Sequence, residues 1–120
     1  MKKPTILINI NKNYRPNMSV QAIYDATRSA WKVGIKRELV EYALSIHRGI
    51  VREVFLVERW VPGGTTMQST DKDGRATDRS DRWEFVGQVA QSKIRKRYLG
   101  KSVAHYFKAG AQNPIMYVNC

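Results

Sequence analysis

The chain has 120 residues, a single cysteine and a net charge of +11, and apolar residues make up 42% of it. This length and composition predict one domain covering residues 1–120, with a hydrophobic core of its own. Because Cys120 is the only cysteine, an internal disulfide is excluded, and no apolar run approaches the roughly 18 residues that span a bilayer. We therefore expect a cytoplasmic protein that makes no membrane contact.

The charges are distributed unevenly along the chain. All ten acidic residues lie between Asp25 and Glu84, so the first 24 and the last 36 residues contain cations but no acid. If the two ends pack beside each other, their lysines and arginines form one strongly positive face. Such a face attracts polyanions, and nucleic acid is the commonest polyanionic partner of a basic protein. A basic surface without a specific partner is the alternative.

The first predicted elements are a strand and a helix. The β-branched, apolar run Thr5–Ile10 predicts a buried opening strand rather than a signal peptide. Apolar residues at helical spacing predict a helix from about Val20 to Trp31, with Ser19 as its N-cap.

The middle of the chain predicts two strands and a long loop. Residues 35–48 fit either a helix, with Leu39, Tyr42, Ala43 and Ile46 on one face, or a strand at Tyr42–His47. We favour a short helical or turn segment near Lys36–Glu41 followed by the strand. Ile50–Trp60 is predicted as a further strand, and its apolar residues lie on both faces, as in a central strand. Residues 62–81 are polar and predict a long loop, either a ligand contact or a disordered hairpin tip.

The last part of the chain predicts a strand at Trp83–Ala90 and a closing strand at Ile115–Asn119. Between them we expect two short helices, one capped by Ser92 and ending at Gly100, the other capped by Ser102 and ending at Gly110. Short strands with helices between them indicate an α+β fold with a strongly bent sheet or small barrel.

Most catalytic and metal-binding chemistry lacks the necessary residues. With His47, His105 and one terminal cysteine, a structural zinc site is excluded, and there is no glycine-rich phosphate loop. A metal-dependent nuclease would need Glu53, Glu58 and Glu84 to converge, although the first two have opposite parity on one strand. No cofactor is expected, and the enzyme hypothesis stays open as an alternative.

Three tryptophans, Trp31, Trp60 and Trp83, lie at the ends of predicted elements beside basic residues. The neighbouring cations are Arg28, Lys32, Arg59 and Arg82. Aromatic rings among lysines and arginines are typical of surfaces that bind unstacked bases. The alternative is that the rings cover the edge of the core.

A basic run, Lys93–Arg97, follows Ser92. On a helix, Lys93, Lys96 and Arg97 share one side while Ile94 and Tyr98 face the core. This side, with Lys101 beyond it, suits contact with phosphates, and a solvated helix face is the alternative.

Two turns offer further candidate contacts. A glycine after Arg48 lets the backbone approach a ligand closely, and Asn113 lies in a polar turn before the last strand, where its amide can bind a ligand. A simple hairpin and an Asn-Pro turn explain these residues equally well.

Three segments of the chain are a helix ending at Trp31, the stretch Tyr42–Trp60 and the stretch Trp83–Gly87. Their order resembles the PUA-like superfamily, closest to its EVE and ASCH branches. The resemblance covers most of the chain. It implies a small, bent, partly closed β-barrel with helices over its openings.

The same resemblance implies a module that binds RNA or modified DNA. Such domains hold one extruded base between aromatic rings, and extrusion costs about a few kcal/mol that the pocket must offset. Trp31, Arg37, Arg48 and Trp83 are the residues at which this chain would line such a pocket. The loop at 62–81 has no counterpart in the family pattern.

The leading hypothesis is a non-catalytic nucleic-acid-binding domain, with a reader of modified bases in DNA or RNA as its narrower form. The alternatives are a metal-dependent enzyme acting on nucleic acid and a module that docks an acidic protein partner. The oligomeric state is left open. The predicted contact residues are Trp31, Arg28, Lys32, Arg37, Arg48, Trp83, Lys93, Lys96, Arg97, Lys101 and Asn113.

Overall fold

The computed structural model describes residues 3–28, 31–66, 81–107 and 114–120. In chain order the elements are β1 (Thr5–Asn9), α1 (Val20–Arg28), a 3-10 helix (Ile35–Leu39), β2 (Tyr42–His47), β3 (Ile50–Pro62), β4 (Trp83–Val89), α2 (Ser92–Tyr98), a second 3-10 helix (Ala104–Tyr106) and β5 (Ile115–Val118). The expected α+β class is confirmed. Of the predicted loop at 62–81, the structure describes residues 62–66 and 81, and residues 67–80 lie outside the described part of the chain.

The strands form one mixed, five-stranded sheet in the order β4-β3-β2-β1-β5. β1 and β2 are parallel because α1 returns the chain to the starting end of β1, whereas the other neighbouring pairs are antiparallel. A barrel requires the two edge strands to pair with each other. In the described residues β4 and β5 lie at opposite edges, so the sheet is open, which corrects the expected partly closed barrel.

Both faces of the sheet are buried. On one face, Phe55 and Phe85 pack with Ile23 of α1. On the other face, Val54 packs in a second cluster with Val103, and α2 and the second 3-10 helix cover this cluster. Adjacent residues of β3 thus belong to different cores, as expected for the central strand.

The start of α1 follows the capping prediction, whereas its end does not. The hydroxyl of Ser19 accepts a hydrogen bond from the Ala22 amide at 3.0 Å, as an N-cap does. The described helix ends at Arg28, and Trp31 forms an isolated β-bridge with Trp83 instead of a last helical turn.

The first and last strands are neighbours. Thr5 lies opposite Val118, and Ile8 lies opposite Ile115. Because β2 runs parallel to β1, the turn between β2 and β3 lies at the end of the sheet opposite Thr5 and Val118.

Candidate nucleic-acid interface

The outer edge of β4 carries two of the predicted aromatic contacts. The backbones of Trp31 and Trp83 exchange two hydrogen bonds of 2.9 and 2.8 Å, and the Trp31 indole donates to the Thr27 carbonyl at 2.7 Å. The guanidinium carbon of Arg37 lies 3.5 Å from the centroid of the Trp83 ring. The structure therefore brings Trp31, Arg37 and Trp83 together, but this cation–π contact occupies one face of Trp83.

Arg28 is held inside the protein. Its Nε donates to the Phe85 carbonyl at 3.1 Å, and its Nη2 lies 3.4 Å from Glu84 Oε2 and also contacts the Thr66 hydroxyl. The Arg28 residue is 5% exposed and Glu84 is fully buried. Arg28 therefore anchors α1 to β4 and leaves little surface for a phosphate.

Lys32 is exposed beside this edge. Its ammonium lies 3.7 Å from the carboxylate of Asp81, and both side chains are mostly in solvent. Such exposed pairs contribute only about 0–1 kcal/mol, so the Lys32 charge remains available to an external anion.

The basic helix α2 has the predicted two-sided character. Lys93, Lys96 and Arg97 are exposed, while Ile94 and Tyr98 pack against the core on its side of the sheet. None of the three exposed cations forms an ion pair with a carboxylate among the described residues. Their charge is therefore uncompensated at close range.

The fourth cation of α2 is the anchor of the helix. Arg95 donates from Nε and Nη2 to the two carboxylate oxygens of Glu53, at 2.6 and 3.1 Å. This hydrogen-bonded pair raises the pKa of Arg95, and Glu53 is 2% exposed. The fork-to-fork geometry holds α2 against β3 in one orientation.

The carboxylates considered for a metal site do not converge. Glu53 pairs with Arg95, Glu84 pairs with Arg28, and Glu58 is exposed. In the described ranges there is no cluster of three histidine, cysteine or acidic side chains able to hold a metal ion.

Arg48 and Gly49 form the two-residue turn between β2 and β3. Both have positive φ, 51° and 75°, as the tight turn of a hairpin requires. The Arg48 amide donates to Asn11 Oδ1 at 2.8 Å, and a Cβ on Gly49 would lie 2.9 Å from the Cβ of Ala104. The glycine thus serves the turn and close packing, while the Arg48 side chain is exposed.

Cations from the two acid-free ends of the chain come together around this turn. The segment that contains Lys101 runs antiparallel to the start of β3. The Lys101 carbonyl accepts a hydrogen bond of 3.0 Å from the Val51 amide. The bond from Arg48 to Asn11 joins the turn to the loop that carries Lys12 and Arg15. Lys12, Arg15, Arg48 and Lys101 are all exposed, so this end of the sheet is strongly positive.

A group of side chains that was not predicted lies at the same end. The rings of Tyr14 and His47 are 4.5 Å apart between centroids, and the guanidinium carbon of Arg52 lies 5.1 Å from the centroid of Tyr14. The sequence feature that could have indicated this group is Tyr14 between Lys12 and Arg15. It is the same combination of aromatic and basic residues that made the tryptophans candidates.

Of the remaining predicted contacts, Asn113 lies outside the described residues. A groove of about 210 Å³ between α1 and β4 has Val20, Tyr24 and Val89 in its walls and contains none of the predicted residues. Among the described residues, no helix is long and apolar enough to cross a membrane.

Comparison with known proteins yields no match. No protein-family model, no curated protein and no solved structure matches this chain.

Proposed function

We propose that this protein is a non-catalytic nucleic-acid-binding domain whose phosphate contacts come from α2 and Lys101. The observation that supports this proposal is the exposure of Lys93, Lys96, Arg97 and Lys101, without an ion pair to any described carboxylate. Four such cations on adjoining segments suit the regular charge of a phosphate backbone.

Rigidity adds to this argument. The Arg95–Glu53 pair and the packing of Ile94 and Tyr98 hold α2 on the sheet. A helix held in this way presents its cations at a constant spacing, so little conformational entropy is lost when a polyanion binds.

The narrower form of the proposal is a reader of modified bases in DNA or RNA, acting in the cytoplasm. It depends on the PUA-like resemblance of the segments ending at Trp31 and starting at Trp83. Because Arg37 covers one face of Trp83, a base that stacks on this ring must use the other face or displace the arginine.

The test is the salt dependence of binding. Fluorescence anisotropy with a labelled oligonucleotide measures the dissociation constant over a series of KCl concentrations. The double variant Lys93→Gln/Lys96→Gln should lower the log–log salt slope by about 1.4–1.8, since each lost phosphate contact contributes about 0.7–0.9.

A matched control removes the same charge elsewhere. Lys36→Gln/Arg59→Gln neutralises two other exposed cations that have no ion pair with a described carboxylate, and it should change the slope by less than about 0.5. Equal slopes for the two double variants would reject α2 as the contact surface. Wild-type binding that is absent or insensitive to salt would reject the function.

A further inference from the structure

A basic and aromatic cluster lies beside the β2–β3 turn, and it consists of Tyr14, His47, Arg48 and Arg52. Tyr14 comes from the loop after β1, and the other three come from the hairpin. Arg52 Nη2 lies 3.5 Å from His47 Nδ1 and 3.4 Å from the His47 carbonyl. The cluster thus joins a phenol ring, an imidazole ring and a guanidinium group in mutual contact.

The conformation of Arg48 is an independent observation. It is one of the non-glycine residues with positive φ, and in this left-handed region arginine is less favourable than asparagine or glycine. Its side chain is exposed and forms no ion pair with a described carboxylate. Placing arginine at this position of the turn therefore costs conformational energy, although its charge has no carboxylate partner among the described residues. A strained, exposed and unpaired residue such as Arg48 is a candidate for contact with a ligand.

The electrostatic environment of the cluster favours an anion. Burial lowers the pKa of His47, and the charges of Arg52 and Arg48 lower it further. Lys101 adjoins the same end of β3 through the hydrogen bond to Val51. A phosphate placed here would meet several cations that lack a described carboxylate partner.

We propose that this cluster binds single-stranded nucleic acid, with flanking phosphates on Arg48 and Arg52. The base stacks on a ring face of the Tyr14–His47 pair that the Arg52 guanidinium group does not cover. Both rings are only partly buried, and only an unpaired base can present its face to them. This inference rests on the proposed function. It adds that the bound nucleic acid is single-stranded and that the protein has a second contact site.

Arg48→Asn separates a contact role from a structural one. Asparagine suits the left-handed turn better than arginine, so the melting temperature should stay the same or rise. Affinity for a labelled oligothymidine strand should nevertheless fall about fivefold at low salt. Arg59→Asn is the matched control: it removes the same charge from an exposed position of β3, seven residues beyond Arg52 and roughly 20 Å along the strand.

Tyr14→Leu tests the stacked base. A stacked base contributes about 1–3 kcal/mol, so affinity for the single strand should fall about fivefold or more. Affinity for a blunt duplex of equal length should change less than twofold, with circular dichroism confirming that the variant is folded.

The outcomes are distinguishable. If the α2 double variant weakens binding while Arg48→Asn and Tyr14→Leu do not, the cluster is rejected and the proposed function survives. If Arg48→Asn weakens the single strand and the duplex equally and Tyr14→Leu weakens neither, base stacking is rejected. If the wild-type protein binds no nucleic acid, both proposals fail.

Discussion

Glu84→Gln should destabilise the protein strongly, because it removes the charge that compensates a buried arginine. Glu84 is fully buried and the Arg28 residue is 5% exposed, and Glu84 Oε2 lies 3.4 Å from Arg28 Nη2. Glutamine conserves the size of the side chain, so the principal change is the loss of one charge. The guanidinium group then remains inside the protein with no carboxylate beside it.

The expected magnitude follows from the burial of both partners. Breaking a buried ion pair by removing one member costs about 3–5 kcal/mol. The whole free energy of unfolding of such a domain is about 5–15 kcal/mol. For a chain of this length about 3–5 °C of melting temperature corresponds to each kcal/mol, so the melting temperature should fall by about 9–25 °C.

Thermal unfolding followed by circular dichroism measures the effect, and the chain provides a matched control. Asp81→Asn removes a carboxylate from the exposed Lys32–Asp81 pair and should cost less than about 1 kcal/mol. Adding Arg28→Met to Glu84→Gln should restore part of the stability, since the uncompensated cation is then absent. A melting temperature for Glu84→Gln within about 2 °C of the wild type would refute the reasoning.

Two other predictions concern stability. A Cβ at Gly87 would lie 2.1 Å from the Leu56 carbonyl oxygen, whereas one at Gly34 would have no atom within 4 Å. Gly87→Ala should therefore lower the free energy of unfolding by about 3 kcal/mol and Gly34→Ala by less than about 0.5 kcal/mol. Urea unfolding measures both, and equal midpoints for the two variants would contradict the prediction. Burial, and then the charge of Arg52, lower the pKa of His47 in the folded state, so the unfolded chain binds its proton first as the pH falls. The stability contribution of His47 should be full above pH ~6.5 and decrease as the pH falls toward the folded-state pKa. His47→Gln should flatten urea midpoints measured from pH 7 to 5, and an unchanged pH dependence would argue against the shift.

The elements were predictable because they depend on local pattern. The apolar run Ile50–Trp60 indicates a strand wherever it pairs, and the structure has a strand at Ile50–Pro62. Tyr42–His47 fitted a helical face as well, and the structure has the favoured alternative, a strand. Strand order is a property of the whole chain. The short run Ile115–Val118 does not indicate that β5 pairs with β1. The sequence therefore did not distinguish an open sheet from a partly closed barrel.

The ion pairs show the same limit. Glu53 and Arg95 are 42 residues apart in the chain, and neither neighbourhood indicates the other. From the sequence alone, Glu53 was therefore a candidate metal ligand and Arg95 had no role of its own. The side on which Lys93, Lys96 and Arg97 lie was predictable, since it follows from helical spacing alone.

The juxtaposition of the first and last strands has a practical consequence for handling this molecule. Thr5 and Val118 are paired, so the start of β1 and the end of β5 lie at the same pole of the sheet. The Arg48 turn occupies the other pole, about 15–20 Å away along β2. Immobilisation through an attachment point beside Thr5 or Val118 should therefore leave the arginine-bearing pole facing the solvent.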